Sequence, residues 1–185
     1  MRRDTHQPDN VKRPPHRRPT RAAGRHDRRS AAEQADRLDR RAFALYESCP
    51  EAIADQISLL RRAVRFAPND LYLLAKLGNR LWENRELDEA EVWYRRAAVA
   101  EPENWDGVGF CGAFLQCVYE GDEGLRMIET AAHHDPEGWA FKYGRALYKA
   151  GDLEGAIVQL RLALEIDPQN ERAASLLAKL TEQPE

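Results

Sequence analysis

Cysteine is scarce in this sequence of 185 residues, and long apolar runs are missing. The three cysteines, Cys49, Cys111 and Cys117, are an odd number without C-x-x-C spacing, which argues against a disulfide framework. No stretch of about 18 apolar residues occurs, so no transmembrane helix is predicted. The opening "MRRDTHQPDN" is not followed by the apolar segment of a signal peptide. We therefore expect a cytoplasmic, reduced protein without membrane contact.

The sequence also lacks the common motifs of catalysis and cofactor binding. It contains no G-x-x-x-x-G-K-[ST] phosphate loop, no H-E-x-x-H and no G-x-S-x-G. One segment holds Cys111, Cys117, His133 and His134, but the two cysteines are six apart and point about 120° away from each other on a helix. This spacing does not suit a structural zinc site. We expect no enzyme activity, no cofactor and no metal.

Charge is distributed unevenly along the chain, whose formal net charge is -3. Residues 1–30 contain ten Lys and Arg against three Asp and Glu, whereas residues 31–185 contain eighteen against twenty-eight. The first segment also has four prolines and almost no large apolar side chain, so we expect a disordered basic arm. Such an arm can contact nucleic-acid phosphates, fold back on the acidic body or stay solvated.

Proline marks a regular period in the body of the chain. Four similar stretches end in prolines that are 34, 34 and 32 residues apart: Pro68, Pro102, Pro136 and Pro168. A Gly follows each of the first three, then a Leu three residues later, a small residue nine further on and an Ala seven beyond that. Apolar residues recur at three and four, which predicts two amphipathic helices per stretch. One helical hairpin cannot bury its apolar face, so the units are expected to stack.

This pattern resembles the tetratricopeptide repeat family, in which small and large apolar positions recur over 34 residues. The resemblance covers about residues 37–180, and its clearest copy carries Leu74, Leu77, Gly78, Leu81, Ala90, Tyr94, Ala97 and Pro102. Three departures stand out. The first unit has Gln56 where a small residue belongs and lacks the glycine, the last full copy is two residues short before Gly144, and Cys111 replaces a Leu.

The resemblance implies an all-α fold, a right-handed α-solenoid of stacked antiparallel helix pairs. We expect about four tetratricopeptide-like units plus a C-terminal capping helix. The basic arm is assigned to residues 1–30 and the solenoid to 31–182, with units at about 33–68, 69–102, 103–136 and 137–168 and a cap at 169–182. The segment "SAAE" from Ser30 to Glu33 fits a capping box, so the first helix is expected to begin at Ser30 and to run to about Ser48.

The resemblance further implies a concave groove, lined by the first helix of each pair, that holds a peptide or a helix. The residues expected to face it are Tyr72, Lys76, Asn79, Trp82, Phe110, Phe141, Lys142, Arg145, Tyr148 and Lys149. The cations among the last five recur at three and four and form one stripe, which suits a peptide with acids and an apolar anchor. Some of these side chains can equally be ordinary packing or solvent-facing residues.

The dicarboxylate clamp of some co-chaperones in this family is not matched, because Leu45, or Ala75 and Phe110, stand at clamp positions. The sequence therefore predicts a non-catalytic scaffold that binds a segment of another protein. The alternative is a nucleic-acid-associated adaptor whose Arg-rich arm contacts phosphates. Self-association of the solenoid is a further option.

Overall fold

A computed structural model describes residues 21–49, 51–119 and 121–182, with side chains from Ser30 onward. These residues form nine α-helices: α1 (Arg21–Ser48), α2 (Ile53–Phe66), α3 (Leu71–Glu83), α4 (Leu87–Ala100), α5 (Asp106–Val118), α6 (Glu123–His134), α7 (Pro136–Ala150), α8 (Leu153–Ile166) and α9 (Glu171–Thr181). Each helix packs against the next along the chain. Four helix pairs and a final single helix confirm the predicted all-α solenoid.

Short polar side chains fix where several helices begin. Asp70, Asp135, Asp152 and Asn170 each accept a hydrogen bond from the backbone N–H three residues later, at 2.9–3.1 Å. These bonds satisfy an N–H that has no partner within the helix. The same Asp or Asn signal opens the first helix of two repeats, the second helix of one repeat and the terminal helix. The helices α2, α4, α5 and α6 begin without such a cap.

Small residues allow the two helices of a pair to approach closely. The alanines at the repeat positions are buried: Ala63, Ala90, Ala97, Ala131, Ala156 and Ala163. In the α5–α6 pair the approach is backbone to backbone, since a Cβ at Gly112 would lie 2.7 Å from the carbonyl oxygen of Gly124. Larger side chains such as Phe114 and Leu160 fill the space between pairs. The buried apolar residues form three successive clusters, one from α1 to α5, one in α6 and α7, and one from α7 to α9, and Phe110 packs against the first two.

The first helix differs from the prediction at its N-terminus. The predicted start at Ser30 is wrong, because α1 begins at Arg21 and the Ala- and Arg-rich residues before Ser30 continue the helix. Ser30 does not cap the helix; its Oγ accepts from Gln34 Nε2 at 3.2 Å. The predicted end at Ser48 is confirmed. Residues 1–20 of the predicted basic arm lie outside the described residues.

The shortened repeat before Gly144 turns tightly. A single residue, Asp135, separates α6 from α7, and Pro136 occupies the first position of α7. Proline suits this position because its missing N–H would have no helical partner there. Within the described ranges, no helix has the length and apolar character needed to cross a membrane.

Candidate functional site

The first helices of successive pairs lie along one side of the stack. Helix α3 contacts α5, and α5 contacts α7, in addition to their partners within each pair. This side is the concave face, because a stack curves toward the side on which its elements are closest. The predicted groove residues lie on these helices.

Asp106 on α5 joins three neighbouring repeats at this face. Its Oδ2 accepts from the Tyr72 hydroxyl of α3 at 2.7 Å, and its Oδ1 accepts from Trp139 Nε1 of α7 at 2.8 Å. The bond to the carboxylate raises the pKa of Tyr72 above its ordinary value. Trp139 is only 1% exposed, so its N–H needs such a partner. The three side chains hold the concave face in one arrangement.

Aromatic rings continue this contact along the groove. The Phe110 ring packs edge-on against Tyr72 at 6.3 Å between centroids and against Trp139 at 5.5 Å. A Cβ at Gly109 would overlap the Trp139 indole, so glycine is what lets the indole lie flat on α5. The three rings form an apolar floor across three repeats.

Lys142 projects its ammonium over this floor. Its Nζ lies 3.8 Å from the centroid of the Trp139 ring, a cation–π contact. Burial lowers the pKa of Lys142 below its ordinary value; Asp106 and Asp135 oppose this effect, and the nearby Arg145 adds to it. Within the described part of the chain, Lys142 forms no ion pair. A negatively charged group bound beside Lys142 would favour its protonated form and so oppose the effect of burial on its pKa.

A pocket of about 260 Å³ opens beside Lys142, between α5, α7 and α9. Four cations line it together with apolar side chains such as Phe110 and Ala113: Lys142, Arg145, Lys149 and Arg172. No acidic residue lines it, and none of the four cations is ion-paired within the described ranges. The guanidinium of Arg172 lies 5.3 Å from the centroid of the Phe141 ring. We call these pocket-lining residues the basic pocket.

The structure brings five of the predicted groove residues to the basic pocket: Phe110, Phe141, Lys142, Arg145 and Lys149. Tyr72 lies beside the pocket, because its hydroxyl donates to Asp106, which also accepts from the pocket residue Trp139. The other four do not line it: Lys76 pairs with Asp39 at 2.6 Å, Asn79 donates to Glu83 at 3.2 Å, Trp82 packs edge-on against Phe114 at 5.8 Å, and Tyr148 is 36% exposed.

Among the residues of the basic pocket that were not predicted, Trp139 and Arg172 matter most for its shape and charge. Trp139 follows Asp106 by 33 residues, but counting back from the repeat glycine Gly144 selects Gly138 instead, because the repeat is short there. Arg172 lies on α9, which the sequence indicates only as a cap. A signal for Trp139 does exist in the sequence, since a large aromatic residue stands three residues after Pro136.

The cysteines and histidines do not converge on one point. Cys111 is buried, and burial raises the pKa of its thiol to about 11, whereas Cys117 is exposed. His133 and His134 lie in the last turn of α6, and the His134 ring stacks on Trp105 at 3.8 Å. In the described ranges no three His, Cys, Asp or Glu side chains gather as a metal site would require.

Stacked helix pairs with one lined concave face define an α-helical repeat solenoid. Residues 120–180 match the sequence model of the Tetratricopeptide repeat family, as the resemblance predicts for that part of the chain. No curated protein sequence matches this chain.

Solved structures share the fold at low sequence identity. PilF of Pseudomonas aeruginosa is 17% identical with a TM-score of 0.70, over 82% of this chain and 69% of that one. MamA of Desulfovibrio magneticus RS-1 is 17% identical with a TM-score of 0.61, over 80% and 84%. The Yersinia enterocolitica type III secretion chaperone SycD, solved in complex with a peptide of the translocator YopD, is 19% identical with a TM-score of 0.52, over 60% and 92%.

Proposed function

We propose that this chain is a non-catalytic scaffold that binds an acidic segment of a partner protein in its concave groove. The observation that carries the proposal is the basic pocket, in which four cations without ion-pair partners among the described residues surround an apolar floor. Carboxylates of the segment would pair with the cations, and an apolar side chain would rest on Phe110 and Phe141.

The charge distribution supports an acidic partner. The body of the chain has more acidic than basic residues, so a pocket that is lined by four cations and by no acidic residue stands apart from its surroundings. Electrostatic complementarity of this kind raises association rates and selects partners. The pocket of about 260 Å³ holds one side chain, which suits a peptide anchor better than a cofactor.

The fold itself supports binding of a chain segment. SycD, which shares the fold, is seen with a peptide of YopD. For the present chain the segment is defined by its chemistry, namely acids around an aromatic or aliphatic anchor.

Charge reversal in the basic pocket tests the proposal. The probe is a fluorescein-labelled peptide GDEFEDG, with GNQFQNG as its neutral control, and binding is read by fluorescence anisotropy. Lys142→Glu with Arg145→Glu should weaken binding of the acidic peptide about a hundredfold, since each lost charge-assisted contact is worth about tenfold.

The matched control is Arg62→Glu with Arg161→Glu, which changes net charge equally at exposed positions on the second helices α2 and α8. This variant should bind like the original chain. Equal weakening by both double variants would show a general charge effect and overturn the groove assignment. Acidic-peptide binding that survives charge reversal in the basic pocket would do the same.

A further inference from the structure

The basic pocket holds more positive charge than a single carboxylate can balance. Its volume of about 260 Å³ admits one side chain, yet four cations line it and no acidic residue does. A glutamate or aspartate side chain that enters this space brings one negative charge and two acceptor oxygens. Most of the positive charge of the pocket would then remain unbalanced.

Two other cavities in the described part of the chain hold acids beside their cations. In a cavity of about 220 Å³ among α4, α5 and α6, Arg95 lies 2.7 Å from Glu91 and 2.8 Å from Glu123. In a cavity of about 170 Å³ among α1, α2 and α3, Asp39 pairs with Lys76 at 2.6 Å. The basic pocket differs from both, because its lining includes no counterion.

The carboxylates closest to the basic pocket have other partners. Burial lowers the pKa of Lys142, and two carboxylates outside the pocket, Asp106 and Asp135, oppose this effect. Both oxygens of Asp106 accept hydrogen bonds from side chains of α3 and α7, and Asp135 accepts from the backbone N–H of Gly138. Neither carboxylate can turn into the pocket without losing these bonds.

The four cations are accessible to a group that enters the pocket. Arg145, Lys149 and Arg172 are exposed, and Lys142 is half-buried. Arg145 lies in the middle of the stripe on α7, one helical turn from each of the two lysines. Arg172 reaches the same pocket from α9. The cations therefore surround the entering group from two helices.

The N–H groups of these cations are available to a ligand. None of the four donates a hydrogen bond to another described residue. Aromatic rings hold two of them in place: Lys142 Nζ lies 3.8 Å from the Trp139 ring centroid, and the Arg172 guanidinium lies 5.3 Å from that of Phe141. The pocket is thus a set of positioned donors without acceptors.

We propose that the basic pocket binds a phosphorylated side chain of the partner segment. A phosphoryl group carries a charge of about −1.5 to −2 at neutral pH and three strong acceptor oxygens, so it balances more of the pocket than a carboxylate does. Guanidinium groups match the geometry of phosphate oxygens, and Arg145 and Arg172 supply two of them. This inference rests on the proposed function and specifies which acid the groove selects.

Other groups balance the pocket less completely. A carboxylate carries one charge, and a nucleic-acid phosphodiester also carries one charge while two ester bonds keep it inside a chain. An apolar side chain leaves all four cations without a counterion. A phosphorylated side chain places its whole charge at the end of one stem, which fits a pocket that admits one side chain.

Charge-matched peptides test the proposal by fluorescence anisotropy at neutral pH. Two fluorescein-labelled phosphopeptides derive from the neutral GNQFQNG: GNQF-pSer-NG carries phosphoserine, and GNQ-pTyr-QNG carries phosphotyrosine. GNEFENG carries about the same charge on two glutamates. At least one phosphopeptide should bind about tenfold more tightly than GNEFENG. If both bind equally to it or more weakly, the proposal is overturned, whereas the proposed function stands as long as GDEFEDG binds.

Arg172→Ala shows whether the phosphopeptide lies in the basic pocket. The variant removes the cation that α9 brings to the pocket, and alanine preserves the helix. Phosphopeptide binding should weaken about tenfold. Lys179→Ala is the matched control, because it removes an exposed cation of the same helix outside the pocket, and it should bind like the original chain. Equal effects of the two variants, or none from Arg172→Ala, would overturn the proposal.

Competition distinguishes a phosphorylated segment from other sources of phosphate. Inorganic phosphate and a single-stranded heptathymidylate are added to the complex of the full chain with the labelled phosphopeptide. Unlabelled phosphopeptide should displace the label at a far lower concentration than either competitor. Equal displacement by inorganic phosphate would reduce the pocket to a plain anion site, and equal displacement by the DNA would assign it to nucleic acid. Either result would overturn the proposal.

Discussion

Asp106 is the residue on which the geometry of the basic pocket depends. It accepts from Tyr72 and from Trp139, and so links α3, α5 and α7 through one carboxylate. Hydrogen bonds to a charged group are stronger than those between neutral groups. The indole of Trp139 then forms the floor on which Lys142 rests.

Trp139→Phe removes the indole N–H that donates a hydrogen bond to Asp106, and the smaller ring leaves a void beside Gly109. We expect the free energy of unfolding to fall by about 2 kcal/mol, measured by urea denaturation. Trp93→Phe is the matched control, because its Nε1 also donates to a carboxylate, Glu89 at 3.1 Å, but at a half-buried position within one helix. It should lose less than about 1 kcal/mol. Equal losses would mean that the Asp106–Trp139 hydrogen bond contributes no more to stability than the Glu89–Trp93 bond.

The protonation of Lys142 makes binding of the acidic peptide depend on pH. Burial lowers the pKa of Lys142, so its positive charge is lost at a lower pH than that of an exposed lysine. The charge is present below this pKa and disappears as pH rises through it. Peptide affinity should therefore fall between neutral and alkaline pH.

Lys142→Arg is the test of this pH dependence, because arginine stays protonated over the whole range. Peptide anisotropy measured against pH should show a smaller alkaline loss for the variant than for the original chain. Identical curves would mean that Lys142 does not contact the peptide acids.

At the scale of helices, the repeat glycines set how closely each pair packs. An added Cβ at Gly112 would lie 2.7 Å from the backbone carbonyl oxygen of Gly124. At Gly144 the nearest atom would be Leu160 Cγ at 3.1 Å, and the nearest backbone oxygen, that of Ala156, would lie at 3.3 Å. A backbone oxygen at 2.7 Å cannot move without shifting α6, but a leucine can adjust by a few tenths of an ångström. The two glycines occupy the same repeat position and differ in what surrounds them.

Gly112→Ala should therefore destabilise the fold by about 2–3 kcal/mol, as overpacking in a tight core does. Gly144→Ala should be close to neutral, because the helix propensity of alanine offsets the small adjustment. Urea denaturation of both variants measures the difference. Similar losses would contradict the backbone contact between α5 and α6.

Helix pairing could be predicted from the sequence because each unit repeats its small and large positions at fixed spacing. The start of α1 could not, since Ser30 followed by Glu33 satisfies a capping pattern while the preceding residues also favour a helix. Five predicted groove residues lie at the basic pocket. Trp139 was not predicted, because the short repeat places it one residue away from the position obtained by counting back from Gly144. Gln56 is visible in the sequence as a departure from the small residue of the other repeats, but its complete burial among three helices is not.

For the whole molecule, the solenoid presents two different ends of one concave face. The basic pocket lies among α5, α7 and α9, and a second cavity of about 170 Å³ lies among α1, α2 and α3. The terminal helix α9 has two roles, because it covers the last pair and brings Arg172 to the pocket. The four tryptophans are spread over this body, with Trp139 at the basic pocket, Trp93 on a second helix, Trp82 against Phe114 and Trp105 against His134.

The indole N–H signals of these four tryptophans give the most direct measurement of the central claim, that the concave face binds an acidic segment. Titration of the full chain with GDEFEDG, followed by ¹⁵N NMR, should shift the Trp139 signal progressively and leave Trp93 and Trp105 in place. The peptide GNQFQNG should move none of them comparably. A shift confined to Trp93, or equal shifts with both peptides, would place binding elsewhere and contradict the account.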